Sequence, residues 1–255
     1  MPFETIRSEK LSQAVVRQIE ALILRGILQP GERLPSEREL SERLGVSRPS
    51  LREAVAELQE RGLLATRASA GIYVADILGS AFSPALIDLF RTDETAVYDY
   101  VSFRRDMEGL AAERAARLGS DVDLEVIDTI FRRMEVAHGK RNPDQEAQLD
   151  AEFHMAIIEA SHNVVMLHMM RAMFDLLREG VFYNRRAMFR VRTTRESLLD
   201  QHREINRAIQ ARDPATARAA VVTHMDFVEQ ALTESHRAER NEAIARQRLE
   251  HQKTR

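Results

Sequence analysis

Between Leu34 and Leu64 the apolar residues recur at helical spacing in two short bursts with a single glycine between them, and this pattern restricts the fold more than any other stretch of the chain. Ser36 and Glu39 have the spacing of a capping box, in which an N-cap serine and a glutamate three residues later satisfy each other's backbone N–H groups. Leu40 and Leu44 give a first short helix its inward face. Gly45 suits a left-handed C-cap, and Val46 packs into the turn. Ser47 is placed to cap a second helix, with Pro49 in the first turn, where proline is tolerated. Leu51, Val55 and Leu58 face inward until Gly62 stops that helix. Two short amphipathic helices around a tight turn make a helix-turn-helix, whose second helix enters the major groove of DNA. A helix with a stripe of Leu11, Val15, Ile19, Leu22 and Ile23 precedes it and ends at Gly26 and Pro30-Gly31. After it, Leu63–Thr66 and Ile72–Val74 read as two strands of a wing.

On this pattern the fold is an N-terminal winged helix-turn-helix, with residues 1–75 as a DNA-binding domain. Arg48 and Arg52 lie one turn apart at the start of the second helix, within reach of base edges or phosphates. Ser47 shares that end of the helix, Arg38 on the preceding helix could reach the backbone, and Arg67 stands at the base of the wing. A helical domain carrying solvated arginines would display the same residues. Net charge does not decide between the two readings. The chain carries −3, and residues 1–75 hold eleven Lys and Arg against ten Asp and Glu. What matters for DNA is local positive charge, so the case rests on pattern.

Residues 76–96 read as a linker with one short helix, and residues 97–232 as successive helices with no competing strand pattern, an all-α bundle. Low aromatic content, 5%, with sparse Gly and Pro, agrees with a helical protein. Residues 233–255 form a highly charged tail, a frayed or extended helix. The chain has no cysteine, which excludes disulfides and thiolate metal sites. Its first residues lack the apolar core of a signal peptide, and no stretch approaches 18 apolar residues, so a cytoplasmic protein with no membrane partner is expected.

In the bundle the chemistry-bearing residues are Asp150 and His154, four apart on one helix face, and His202 and His224 on two later helices. One carboxylate and three imidazoles suit a borderline divalent metal. A histidine set among Phe153, Ile157 and Ile158 is also compatible with an ordinary core histidine. A metal-dependent hydrolase would need a general base beside the metal-bound water. Glu152 lies off the shared face of Asp150 and His154 and is a poor candidate. His138, His236 and His251 read as surface residues, and Met166, Met169, Met170 and Met173 as a core or pocket wall.

The stretch PGERLPSERELSERLGVSRPSLREAVAELQERGLL, residues 30–64, resembles the GntR family of bacterial repressors over a long and specific pattern. The resemblance implies operator contacts by Arg38, Arg48 and Arg52, a homodimer, and a palindromic double-stranded operator. The wing departs from the family's RxGxGTFV: it reads Arg67-Ala68-Ser69-Ala70-Gly71-Ile72-Tyr73-Val74, with serine for one glycine and Ile72 for the threonine. Behind such a head, the bundle resembles the FCD domain of the fatty-acid, pyruvate, lactate and gluconate responsive members. That resemblance implies a divalent metal, zinc or else manganese or nickel, on Asp150, His154, His202 and His224. It also implies that Arg104 grips an effector carboxylate, since Arg104 opens an RxxLExxAA-like pattern ending in Ala111-Ala112, with Arg105 as the neighbouring alternative. Residues 159–173 and 237–253 resemble pyruvate-responsive members, whereas Asp150 and His154 are shared with lactate-responsive ones. The function implied is a regulator, not an enzyme, released from DNA by a small 2-oxo or 2-hydroxy carboxylate, with pyruvate favoured over lactate and glycolate.

Overall fold

The computed structural model describes residues 10–67, 71–76, 82–178, 180, 182, 188 and 192–253. They form two compact units, one ending at Asp76 and the other beginning at Phe82. The first contains α1 (Leu11–Leu24), α2 (Glu37–Leu44), α3 (Arg48–Glu60), β1 (Leu64–Arg67) and β2 (Gly71–Val74). The strands are antiparallel, with Leu64 opposite Val74 and Arg67 opposite Gly71. The other edge of β2 is occupied by the segment before α2. Leu34 N–H donates to Ile72 O at 2.9 Å, and Val74 N–H donates to Glu32 O at 2.9 Å. The wing is thereby tied to the chain that leads into the helix-turn-helix.

The helix boundaries follow from their caps. Ser36 Oγ accepts from Glu39 N–H at 3.3 Å, and Gly45 takes the left-handed conformation at φ 65°. The reciprocal half of the expected capping box is replaced, because the Glu39 carboxylate accepts from Arg43 at 2.6 Å instead. Ser47 Oγ accepts from Ser50 N–H, and Pro49 lies in the first turn of α3. Leu51, Leu58, Val15 and Ile19 meet in the core of this unit. The stripe on α1 is rotated from the expected one: Leu11 is exposed, and Ser12 and Val16 are buried. On the same helix, Gln13 donates to Glu57 on α3, and Glu20 pairs with Arg61, the residue that follows α3.

The regular elements described in the second unit are all helices: α4 (Pro84–Thr92), α5 (Glu94–Leu118), α6 (Asp121–Lys140), α7 (Pro143–Ala160), α8 (Val164–Arg178), α9 (Arg192–Gln210) and α10 (Pro214–Lys253). Together with the first unit this gives the expected class, a winged helix-turn-helix followed by an all-α bundle. Ser83, Asp93, Ser120 and Asn142 cap α4 to α7, and Ser120 with Asp123 completes a capping box. The linker helix α4 belongs to this unit, where Ile87 and Phe90 pack on the bundle core. α5 lies at the centre, packed along α10 and against α7 and α9. α7 and α9 are clamped by a buried ion pair, in which Arg195 Nε and Nη2 donate to Glu146 at 2.7–3.0 Å. His138, expected at the surface, is half-buried with its Nδ1 3.4 Å from Glu146 Oε2. His236 is likewise half-buried, 3.3 Å from the Tyr98 hydroxyl. Met169 turns outward, whereas Met166 and Met170 are core. No break separates the tail from the bundle; α10 runs on as an exposed helix to Lys253.

Two glycines separate two kinds of constraint. A Cβ at Gly119 would lie 2.6 Å from Ala115 O and 2.9 Å from Leu124 Cδ1, whereas Gly45 has open space but φ 65°. Gly119→Ala is therefore expected to cost about 1–3 kcal/mol by overpacking, and Gly45→Ala about 1 kcal/mol by left-handed strain. Denaturation of the full-length variants checks both, and a Gly119→Ala protein as stable as the parent would contradict the close join between α5 and α6.

Candidate metal centre and nucleic-acid interface

Asp150 and His154 project from one face of α7, His202 comes from α9, and His224 from α10. All four are buried, and one ligand atom from each lies within 4.8 Å of the other three. His202 Nε2 stands 3.0 Å from Asp150 Oδ1, and His154 Nε2 lies 3.3 Å from His202 Nε2 and 3.7 Å from Asp150 Oδ1. Donors held about 2.0–2.2 Å from one ion can be up to roughly 4.4 Å apart. The set therefore fits a single divalent ion with only small adjustment. Phe153, next in sequence to His154, packs edge-on against the His202 ring at 5.3 Å between centroids, giving these imidazoles an apolar wall.

Two of the rings are oriented from behind. His224 Nδ1 is 3.0 Å from Gln201 Oε1, and His154 Nδ1 is 2.6 Å from Glu108 Oε2. An acceptor at Nδ1 places the ring proton there and leaves the Nε2 lone pair for a cation. Glu108 is itself held by Arg104, whose Nε donates to Glu108 Oε1 at 2.6 Å. Arg104 is buried, and its guanidinium carbon lies 4.9 Å from the Phe174 ring centroid. Its neighbour Arg105 turns outward to Asp226 and Glu229, so of the two expected arginines it is Arg104 that adjoins the cluster. Glu152 pairs with Arg133 at 3.0 Å and accepts from Gln148, away from a general-base position.

Burial sets the charges of the site. It pushes the Glu108 carboxyl up, but the charges of Arg104 and then His154 outweigh it and hold the group down to about 2. Burial lowers His154 below its ordinary value, against the opposing pull of Glu108. Burial, together with the neighbouring His202 and His154, pushes His224 well below its own. Both rings are consequently in the neutral, ligating form at pH 7. Sequence reasoning did not assign Glu108 or Gln201 a role. Glu108 was signalled by its spacing, four residues after Arg104 on a face continued by Ala111, Ala112 and Ala115. Nothing in sequence marks Gln201.

In the first unit, Arg38, Ser47, Arg48 and Arg52 are exposed on α2, at the turn and on α3. Ser47 Oγ is engaged as a cap. Arg52 Nε donates to Glu37 at 2.9 Å, Arg38 lies 3.8 Å from Glu42, and Arg48 makes no ion pair among the described residues. Arg67 ends β1, with residues 68–70 and its own side chain outside the described set. A concavity of about 520 Å³ separates α3 from the wing and is lined by Arg33, Glu37, Arg52, Gln59 and Thr66 among others. Arg33, which the sequence did not single out, lies across the wing at Gly71, close enough to meet any Cβ there.

Two family descriptions match the chain: "Bacterial regulatory proteins, gntR family" over residues 11–74 and "FCD domain" over residues 99–227. Among similar proteins, one of Escherichia coli K12 assigned to regulation of the L-lactate dehydrogenase operon is 35% identical over 86% of this chain and 85% of its own. The Glc operon transcriptional activator of the same strain is 34% identical over 87% of this chain and 89% of its own. The Uxu operon transcriptional regulator of that strain is 30% identical over 87% and 86%. A solved structure, GntR of Streptococcus agalactiae, aligns with a TM-score of 0.52 at 25% identity, over 86% of this chain and 99% of the other. No helix among the described residues is long and apolar enough to cross a membrane.

The depressed imidazoles set the sign of a pH effect. Below the ordinary histidine value of 6.5 the unfolded chain takes up protons that His154 and His224 in the fold refuse. The stability of chelator-treated protein is therefore full above about pH 6.5 and falls as pH drops below it. A further loss begins below 4.5, as Glu108, held to about 2 in the fold, is protonated in the unfolded state. Melting temperature against pH reads this directly. A flat profile between pH 5 and 7, or one unchanged in a His224→Gln variant, would contradict the burial-driven depression.

Proposed function

We propose, for a chain that belongs to the GntR family of bacterial regulatory proteins and carries an FCD domain, that it represses transcription until a small 2-oxo or 2-hydroxy carboxylate reaches a divalent metal held by Asp150, His154, His202 and His224. The observation that carries this reading is the convergence of those four buried side chains beside Arg104. When bound, the ion supplies a positive site for a carboxylate and its adjacent oxygen. Zinc fits the donor set, and manganese and nickel are compatible with it. Arg104 supplies a second, protein-borne cation for the same ligand. The similarity to a regulator named for an L-lactate dehydrogenase operon supports L-lactate ahead of pyruvate, with glycolate next.

The head reads palindromic operator DNA in the cytoplasm as half of a homodimer, with two copies of α3 in successive major grooves. Arg48 and Arg52 reach base edges, Arg38 and Ser47 contact the backbone, and Arg67 approaches from the wing. Effector binding alters the relative affinity of two states of the dimer for DNA. Relatives belong to regulators rather than enzymes, and Glu152, bound to Arg133, supports the same reading over a hydrolase.

The test is a fluorescence-anisotropy titration on an operator selected from random DNA, paired with thermal-shift scans of L-lactate, pyruvate and glycolate with and without chelator. Release of DNA by one acid, dependent on metal, is the expected result. Tighter binding would make the chain an activator, and indifference to all three acids would sink the sensory reading. His202→Ala is expected to leave DNA affinity nearly intact while abolishing the response; a large fall in melting temperature instead would mark the metal as structural. In the head, Arg48→Ala is expected to cost about 1–3 kcal/mol and relax base preference, whereas Arg38→Ala weakens all sequences alike.

A further inference from the structure

Of the three converging imidazoles, His154 and His224 have an acceptor behind the ring, and His202 differs from both. Its Nε2 faces Asp150 Oδ1 at 3.0 Å, and its Nδ1, on the other edge of the ring, is buried with no hydrogen-bond partner among the described residues. The ring lines a small cavity of about 10 Å³, together with Met134, His138, Glu146, Arg195 and Leu199. His138 Nδ1 is a second buried nitrogen without a hydrogen bond among the described residues, 3.4 Å from Glu146 Oε2. From this arrangement we infer that the cavity binds one water molecule, and that through it Glu146 is the positioning residue for His202. The inference rests on the reading of Asp150, His154, His202 and His224 as cation ligands given above.

A neutral ring that gives its Nε2 lone pair to a cation carries its proton on Nδ1. In the core that N–H needs an acceptor. A buried water needs about 10–15 Å³ and two to four polar partners, and the cavity offers both. The space is too small for a carboxylic acid, and its polar lining is unlike that of a dry apolar void. The water accepts from His202 Nδ1–H, donates one proton to Glu146 Oε2 and offers the other to His138 Nδ1. Glu146 has capacity for this bond. Arg195 Nη2 and Nε both donate to Oε1, at 2.7 and 3.0 Å, whereas only Nε reaches Oε2, at 3.0 Å. A carboxylate drawing on the ring proton through the water makes Nε2 a better donor to the cation. The Arg195–Glu146 pair thereby serves the cation site as well as the joint between α7 and α9.

The experiment compares the full-length parent with His138→Asn and His138→Leu. The two new side chains have nearly the same shape, but asparagine keeps a polar atom near the place of Nδ1, whereas leucine puts a methyl group there and takes the water's space. His138 is not one of the four cation-binding residues, and its backbone carbonyl, which accepts from Arg195 Nη2, is the same in both variants. Zinc affinity is read by competition with a chromophoric chelator, melting temperature reports packing, and a crystal structure of the zinc-loaded parent locates the water. A water bonded to both His202 Nδ1 and Glu146 is expected. His138→Asn is expected to bind zinc as the parent does, and His138→Leu to bind it about 10–100-fold more weakly. A leucine variant that loses melting temperature but keeps zinc affinity marks the contact as structural and overturns the inference. Equal losses of zinc affinity in both variants, or a cavity without water in the zinc-loaded crystal, also overturn it. If His138→Leu does not fold, Glu146→Gln, which removes the charge behind the water, is expected to weaken zinc in its place, and an unchanged affinity there overturns the inference. A parent that fails to bind zinc overturns the reading of the cation site itself, not only the bridge.

Discussion

A charge inside a helical bundle must be compensated there, because removing an ion from water costs several kcal/mol even after relaxation. The second unit is organised around that requirement. Arg104, Glu108 and Asp150 sit among apolar side chains, and each is placed against groups of suitable sign or hydrogen-bonding character. Arg104 keeps Glu108 ionised, Glu108 orients His154, and His202 meets Asp150. The Arg195–Glu146 pair follows the same rule one layer away and holds together the two helices that carry three of the four converging residues. Moving any of these helices would break compensated charge contacts as well as apolar packing. The positions of the four converging side chains are therefore fixed by more than the shape of the core.

The first unit follows a different logic. The side chains proposed to meet DNA, Arg38, Ser47, Arg48 and Arg52, are exposed, and two of them carry an acidic partner, Arg38 in Glu42 and Arg52 in Glu37. Exposed pairs of this kind contribute little to stability. They suit a nearly neutral head in which the proposed reading face is defined by where arginines stand on α2 and α3, rather than by an excess of positive charge. The rigidity of that face comes from the caps at Ser36 and Ser47, the left-handed Gly45, and the pairing of residues 31–34 with the wing strand.

Local features of both units were legible where the cause is local. The caps at Ser36 and Ser47, the turn at Gly45 and the inward residues Leu51, Val55 and Leu58 all follow from short-range spacing. The structure departs from the local pattern where a distant partner intervenes. Leu11 fits the helical stripe but is exposed, while its neighbour Ser12 is buried and Gln13 bonds Glu57 on α3. His138 reads as a surface histidine, yet the buried Glu146 from the next helix draws it partly inward. Glu39 has capping-box spacing, but a cation one turn along the helix takes its carboxylate.

The site divides along the same line. The sequence by itself determined that Asp150 and His154 share a helix face, because a spacing of four does so in any helix. It also determined which residue types were available, and, through resemblance, that His202 and His224 belong with them. Only the tertiary structure decided that the four converge to within 4.8 Å of one another, that Arg104 rather than Arg105 faces them, and that Glu108 and Gln201 stand behind the rings. Those outcomes depend on the rotation and register of α5, α7, α9 and α10 against one another. Packing and charge compensation across helices set that register, and no single helix carries it in its own spacing.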